Sequence, residues 1–416
     1  MKHMDPPADA IAAVTHCNPY PWYATLRNGP ALVRDERLHV WVASRADIVR
    51  EVLANDALRV RPPTEPVPGA IAGTPAGKVF GRLVRMNDGA THAAHKPVLQ
   101  RALAGLDLRA AYATVLQVAD GMPAESPSDA CFAMPVRGVA HLLGFASEAL
   151  PRVSDWVRDF VACLSPLSTA AQLDAASEAA AALMARFESL IVARPARHGT
   201  LLAAVQEQAP ADRSRALVAN LVGLLSQTCE ATAGLLGNSL VALAREPGLR
   251  RRVDSRWELL PALVDEVARH DPSIQNTRRF VAQPTTIAGI ELAPGEAVLV
   301  VLGAANRDPS LNPAPATFEL MRAERRTLGF GQGPHACPGQ ALAGTVAAAG
   351  LQALLSRGLD ADALLERGWN YRPSVNARIP TFHRQPKLMQ PSAIVPSEQG
   401  TARAPHGPIG AAMQQA

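Results

Sequence analysis

The residue of this chain best suited to chemistry is a cysteine that closes a glycine-rich turn. In Phe330-Gly331-Gln332-Gly333-Pro334-His335-Ala336-Cys337-Pro338-Gly339, two glycines at alternate positions open backbone angles closed to other residues. Cys337 then falls just before a helical pattern, where unpaired N–H groups and the positive helix end stabilise a thiolate. Gly339 and Ala343 keep the first turn of that helix thin, so that a flat group can lie against it. Thiolate ligation of haem iron would use all of these features, because a strongly donating sulfur favours O–O cleavage. The plainer reading is a glycine-rich loop that happens to contain a cysteine.

The full pattern F-G-x-G-x-H-x-C-x-G resembles that of the haem-thiolate monooxygenases, the cytochrome P450 family, of the soluble bacterial type. The resemblance runs from Asn18 to Phe382. It implies haem b as cofactor, Cys337 as the axial ligand to its iron, a loop shaped by Phe330, Gly331 and Gly339, and O2 as co-substrate. It also implies that His92 and Lys96 of THAAHK, Arg279 of NTRRF, and His335 hold the haem propionates, since buried carboxylates need cationic or hydrogen-bonding partners. The family has arginine where this chain has Lys96, a point charge without the bidentate fork. Read without the family, His92 and His95 would be a helical metal pair with no third ligand. Glu266 and Arg269 form an E-x-x-R pair one turn apart on a helix, by itself no more than a surface ion pair. In the family this pair joins a third basic residue, matched by Arg322 in FELMR, as a structural brace for the segment leading to the cysteine loop.

One motif departs from the family. Aligned by Gly237-Asn238, the stretch Ser226-Gln227-Thr228-Cys229-Glu230-Ala231-Thr232 matches the oxygen-activation motif A/G-G-x-D/E-T. The acid is present as Glu230, but the alcohol position is Ala231, which cannot donate a hydrogen bond. Gln227 and Thr228 lie four and three residues earlier and so share the face of Ala231, whereas Thr232 points about 100° away. These substitutions imply that proton delivery is rerouted through Gln227, Thr228 or a polar group of the substrate. They also leave open desaturation, ring closure or peroxide-driven oxidation in place of hydroxylation. A reading from a different class is a non-catalytic member that binds haem or a partner. Such a protein would be expected to have lost the cysteine or the E-x-x-R pair, and this chain has both.

The elements that must position these residues are mostly helical. NPYPWYATLRNGP reads as a short helix closed at Asn28-Gly29-Pro30, and LVRDERLHVWVAS as a strand or hairpin. A helix follows from Arg45 to Leu53, and the stretch from Arg61 to Lys78, rich in proline, glycine and alanine, reads as a long irregular loop. From 93 to 270 the pattern is helical, broken at Pro123, Pro127, Pro135, Pro166, Pro195 and Pro210. No proline interrupts the run between Pro210 and Pro247, which predicts a buried helix of about 30 residues and about 45 Å. After Arg279 come strands (TTIAGIEL, a turn at Pro294-Gly295, then AVLVV), and a last helix runs from Gln340 towards Leu355. The expected fold is mainly α with a small β region, the cytochrome P450 fold, in one catalytic domain over 1–383. Residues 384–416, aperiodic and rich in Pro, Gly, Ser and Gln, read as a disordered tail.

Composition narrows the classes. The 41 basic and 37 acidic residues leave a formal charge of +4, too small a bias to argue for nucleic acid. The five cysteines, at 17, 131, 163, 229 and 337, show no zinc-ligand spacing and, being odd in number, cannot all pair. Apart from Cys337 they read as small buried hydrophobes. The N-terminus has no signal-peptide core, and the most apolar run, Ala297 to Ala305, is too short to span a bilayer. These readings predict a cytoplasmic monomer with no nucleic-acid or membrane partner. No flavin or ferredoxin motif occurs, so electrons are expected from a separate ferredoxin and ferredoxin reductase, with NAD(P)H acting only through them. By resemblance, the small-molecule substrate would touch the Arg61–Phe80 loop, the region near Leu164–Leu173, Gln227, Ala231, Ile274, Gln275, Asn276 and Ile379. Their mixture of apolar and uncharged polar groups suits a partly polar secondary metabolite.

Overall fold

Proline and apolar spacing divide the chain into short N-terminal elements, a helical middle and a strand-rich last third. The computed structural model describes residues 5–123, 126–193, 200–208, 215–254 and 256–383. The tail over 384–416, Pro195 and Pro210 lie outside the described residues. Helices α1 (Ala12–Thr15) and α2 (Tyr20–Asn28) lead into the hairpin of β1 (Leu32–Asp35) and β2 (Val40–Ala43), followed by α3 (Ala46–Ala54) and β3 (Leu58–Arg59). The stretch expected to be an irregular loop contains α4 (Pro75–Phe80). Pro75 occupies its first turn and Thr74 Oγ1 accepts the Gly77 N–H at 3.1 Å, two start signals hidden by the surrounding prolines and glycines.

The middle of the chain is α5 (Gly89–Ala104), α6 (Leu108–Asp120), α7 (Pro127–Leu142), α8 (Leu150–Phe160), α9 (Ala170–Ala193), α10 (Leu201–Gln208) and α11 (Arg215–Arg245). Pro127 opens α7 as expected, but Pro135 does not break it. That residue is buried inside α7, and the packing of α7 against α6 and α11 carries the helix past the missing N–H. Helix α11 has 31 residues, and from 217 to 241 it is buried except at Leu224, Gln227, Thr228, Glu230 and Ala231. Then follow α12 (Pro247–Val253), α13 (Leu260–His270), β4 (Thr277–Val281), β5 (Thr285–Ile287), β6 (Ile290–Leu292), β7 (Ala297–Val300), α14 (Leu302–Ala305), α15 (Gln340–Ser356), α16 (Ala361–Arg367), β8 (Trp369–Tyr371) and β9 (Pro380–Phe382).

TTIAGIEL is a hairpin of two strands rather than one, because Ala288 and Gly289 both take positive φ, 50° and 80°, in the turn between β5 and β6. The main sheet has the order β1-β2-β7-β4-β3, with β2 and β7 parallel and the other pairs antiparallel. Alternation along β4 turns Arg279 and Val281 inward and Arg278 to solvent. Helices α11 and α15 pack together, and Gly350 permits the approach: a Cβ there would lie 3.1 Å from Leu236 Cδ2. No helix among the described residues is long and apolar enough to cross a membrane.

A polar knot joins the N-terminal segment to the end of α13. Arg378 Nε meets Asp271 at 2.8 Å and its Nη1 donates to the carbonyls of Val14 and His16. Tyr20 donates its hydroxyl to the same carboxylate, and Arg307 stacks on the Tyr20 ring. Arg307 Nη2 also donates to His270 Nδ1 at 2.9 Å, which leaves His270 Nε2 to donate to the Ala316 carbonyl at 3.0 Å. The ring is therefore held neutral. Burial and the adjacent Arg307 charge push its pKa down to about 4, against about 6.5 in the unfolded chain. Between those values the unfolded state binds a proton that the folded state refuses, so stability falls as pH drops through that window, by at most about 3 kcal/mol. Urea unfolding at pH 7 and pH 5 is expected to show His270→Gln losing less stability on acidification than the wild type. An equal loss would mean that His270 is not the acid-sensitive group.

Candidate functional site

The cysteine loop is built from turns that only its glycines allow. Gly331 and Gly333 both have φ of 73°, and a Cβ on Gly333 would also sit 3.1 Å from the Leu53 carbonyl oxygen. The Cys337 N–H donates to the Phe330 carbonyl at 2.8 Å, and Ala336 N–H to Gly333 at 3.0 Å, which closes the loop on itself. Phe330 packs against the core cluster shared by α11 and α15. Gly339 caps α15, and its N–H is aimed at the Cys337 sulfur. Cys337 is exposed, in contrast to Cys131, Cys163 and Cys229, whose burial pushes their thiols up to about 12. Desolvation by the surrounding loop still raises the Cys337 thiol despite its exposed surface, opposed by the Gly339 N–H and the charges of Lys96 and Arg85. A thiolate is thus favoured less strongly than the helix end alone suggests, and coordination would have to supply the remainder.

Behind the loop stands a buried charge cluster. Glu266 accepts from Arg269 at two points, Nη2 at 2.6 Å and Nε at 3.1 Å, with both side chains 0% exposed. Arg322 Nε lies 3.3 Å from Glu266 Oε1, as its place in FELMR implied. Arg325, which the sequence reading missed, brings Nε to 2.9 Å of Oε2. Its signal was the i, i+3 spacing from Arg322. The remaining N–H groups of these arginines cap carbonyls of the approach segment: Arg269 those of Pro315 and Thr317, Arg322 those of Pro313 and Thr317, Arg325 that of Leu320.

On the other side of Cys337, cations from separate elements converge. Lys96 on α5 is buried and donates to the Ala336 carbonyl at 2.5 Å. The His92 and His335 rings lie 4.3 Å apart, and His335 Nε2 meets Asp88 Oδ1 at 3.0 Å. Burial alone would raise the Asp88 carboxyl, but His335 and the Val60 N–H hold it below its usual range. Asp88 was not singled out in the sequence, although it stands one helical turn before His92. His92 Nε2 is buried with no hydrogen-bond partner, and burial and the neighbouring positive charges lower its pKa. Arg279 is buried too, yet its guanidinium reaches only the Arg278 carbonyl at 2.9 Å and Thr277 Oγ1 at 3.5 Å. His95 is not drawn into a metal cluster: no group of three His, Cys, Asp or Glu side chains able to hold a metal ion occurs among the described residues.

On α11, Leu224, Gln227, Thr228 and Ala231 form one stripe at helical spacing, the accessible face of an otherwise buried stretch. Thr232 lies away from that stripe, 1% exposed. Thr228 Oγ1 donates to the Leu225 carbonyl at 2.7 Å and Gln227 Nε2 to that of Gly223 at 2.8 Å, so both side chains are tied back to their own helix. Glu230 pairs with Arg372 at 3.0 Å, and burial pushes its carboxyl up against the pull of Arg372 and Arg85. Arg372 and Arg85 were both invisible as site residues in the sequence.

The expected substrate contacts separate into two groups. Ile274 is half-buried and bridges to Ala377. Gln275, Asn276 and Ile379 are buried. Gln275 donates to the Pro272 carbonyl and packs where Gly303 has no Cβ, Asn276 donates to the Val375 carbonyl, and Ile379 belongs to the core beneath α11.

A mainly helical fold with a thiol loop braced by a buried Glu–Arg cluster is the architecture of haem-thiolate proteins, and the comparisons agree. The cytochrome P450 family model matches residues 242–357. Cytochrome P450 144 of Mycobacterium tuberculosis is 29% identical over 380 residues, 87% of each chain. Putative cytochrome P450 133B1 of Xylella fastidiosa is 30% identical over 357 residues, 78% of this chain and 85% of the relative. The crystal structure of CalO2 superposes with a TM-score of 0.76 at 25% identity, covering 92% of this chain and 98% of that one. This chain belongs to the cytochrome P450 family, and with it to the haem-iron monooxygenases that consume O2.

The residues present fit a haem. The unpartnered His92 Nε2 and the carboxylate-free guanidinium of Arg279 are donors of the kind two propionates require, and Cys337 offers a soft ligand. Glu266→Gln is expected to cost about 3–5 kcal/mol, because it leaves two buried guanidiniums, Arg269 and Arg322, and the half-buried Arg325 without their carboxylate. The checks are the unfolding midpoint and the fraction of purified protein that retains haem. An unchanged midpoint would remove the brace from the account.

Proposed function

We propose that this protein inserts one oxygen atom of O2 into a C–H bond of a small organic molecule of the secondary-metabolite kind. In this reading residues 1–383 form the catalytic domain of a cytoplasmic monomer. A ferredoxin and its reductase supply the electrons, and NAD(P)H acts only through them. The observation that carries the reading is the exposed Cys337 thiol in a loop closed on one side by the Glu266 cluster and flanked on the other by His92 Nε2, buried without a hydrogen-bond partner, and by Arg279, whose guanidinium meets no carboxylate. When bound, haem iron ligated by Cys337 would supply the oxygen chemistry. His92, Lys96, Arg279 and His335 would hold the propionates, and the Leu224–Ala231 stripe would position the substrate.

Proton supply is the part of the chemistry that falls to this chain in an unusual way. Ala231 has no hydroxyl, and the Thr228 proton is committed to the Leu225 carbonyl. Gln227 keeps one N–H and its carbonyl oxygen for a ligand. Glu230, its carboxyl raised by burial, is the acid on this stretch of α11. We infer that the substrate or a water held by Gln227 replaces the missing hydroxyl. Desaturation, ring closure or peroxide-driven oxidation is favoured over simple hydroxylation to the extent that this proton route is weak.

Two measurements test the reading. The reduced, carbon-monoxide-bound wild type is expected to show the red-shifted Soret band of a thiolate-ligated haem, and Cys337→Ser to lose it. Absence of the band from the wild type would end the enzyme assignment. Ala231→Thr is expected not to raise product formed per electron consumed. A large rise would show that the threonine was merely lost, with no substitute in place. Turnover with peroxide in the absence of ferredoxin would select the peroxide-driven reading over the reductive one.

A further inference from the structure

The segment between α4 and α5 carries a cation with no ion-pair partner among the described residues. Arg85 is half-buried; its Nε is fully buried, and among the described residues no atom of its guanidinium has a hydrogen-bond or ion-pair partner. Burying an unpaired charge is costly, so such groups are retained where something else answers them. Burial lowers its pKa, and the neighbours that oppose this are Cys163, Glu230 and Cys337. Arg85 therefore sits among the thiol loop, the acid of α11 and the chain just after α8. Asp88, whose charge reaches His92 and Arg279 through space without an ion pair to either, is not among the groups acting on Arg85. Glu230, the carboxylate that acts on Arg85, is already engaged by Arg372 at 3.0 Å. One carboxylate between two guanidiniums leaves a local excess of one positive charge.

The position of that charge is fixed from several sides. Asn220 on α11 accepts the Val84 N–H at 2.7 Å and donates to the Arg82 carbonyl at 3.1 Å. Asn87 Nδ2 donates to the carbonyls of Gly81 and Leu83, and Arg61 Nη2 holds Asn87 Oδ1 at 2.8 Å. Leu83 fits against α11 only because Gly223 has no side chain: a Cβ there would lie 2.8 Å from Leu83 Cδ2. A backbone so heavily tied around one unpaired guanidinium is preorganised for a ligand, which lowers the ordering cost of binding.

We propose that Arg85 is the anchor for an anionic group on the substrate, a carboxylate in the first instance, held between the segment before α5 and the accessible stripe of α11. This inference rests on the haem-thiolate reading above and adds the chemical class of the substrate to it. Arginine presents a planar fork that matches a carboxylate at two points, so the guanidinium sets both affinity and the orientation of the C–H bond offered for oxidation.

The test uses the haem-loaded enzyme and ligands whose binding does not depend on knowing the substrate. ω-(Imidazol-1-yl)alkanoic acids of graded spacer length are titrated against their methyl esters and followed by the Soret shift. At one or more spacer lengths the wild type is expected to bind the acid at least about tenfold more tightly than the ester, the size of one charge-assisted contact. Arg85→Gln should abolish or reverse that preference, and Arg85→Lys should retain part of it. If the wild type favours the ester at every length, or if both variants keep the full preference for the acid, the proposal is overturned. Plain imidazole separates the two levels of inference. If it shifts the Soret band while the acid preference is missing, only the anionic-substrate proposal falls. If it gives no shift, the haem-thiolate reading falls with it.

Discussion

A single carboxylate, Glu266, is the point on which the cysteine loop hangs. It is wholly buried, and it is tolerated there because three guanidiniums and the Glu319 N–H surround it. The cluster does not gain its importance from Coulomb attraction alone, since buried ion pairs often do little more than recover their desolvation cost. What matters is where the spare N–H groups go. They cap carbonyls of the 313–320 segment, a stretch without regular secondary structure whose backbone would otherwise be unsatisfied. An irregular chain thereby acquires a fixed course, and the thiol at its far end a fixed place.

Helix α11 is divided between two environments. Most of its length is core, but the stripe of Leu224, Gln227, Thr228 and Ala231 stays accessible, and its two polar side chains are tied back by hydrogen bonds to their own helix. The polar knot around Asp271 and Arg378 and the packing of Gly234 and Gly237 against Arg378–Pro380 hold this helix from the other side. The strand-rich last third is thus less a separate layer than a support for α11.

Much of this was legible in the sequence. The cysteine loop could be read because its glycines are demanded by positive φ, and the long helix because proline is absent over its whole length. Gln227, Thr228 and Ala231 could be placed on one face by helical arithmetic, and they share it in the structure. The errors came where tertiary packing overrides local pattern. Pro135 sits inside a helix that its neighbours hold together, and α4 starts within a stretch whose composition reads as loop. Arg325 and Asp88 had a spacing signal, three residues after Arg322 and four before His92, but Arg372 and Arg85 had none, because each acquires its meaning from a partner, or from the lack of one, distant in the chain. For Gln275, Asn276 and Ile379 resemblance gave the neighbourhood, and only coordinates show how fully their side chains are buried.

The clamp of Asn220 on the backbone at Arg82 and Val84, together with the notch at Gly223 that receives Leu83, makes two distant stretches of sequence a single part. Segments like the one before α5 are attractive units to exchange between relatives when a new specificity is wanted. In this protein the segment is not a detachable module. A graft that moved residues 81–88 without the matching asparagine and glycine on α11 would carry the recognition groups but lose the mould that shapes them, so inheritance and engineering alike must treat the two stretches as one unit.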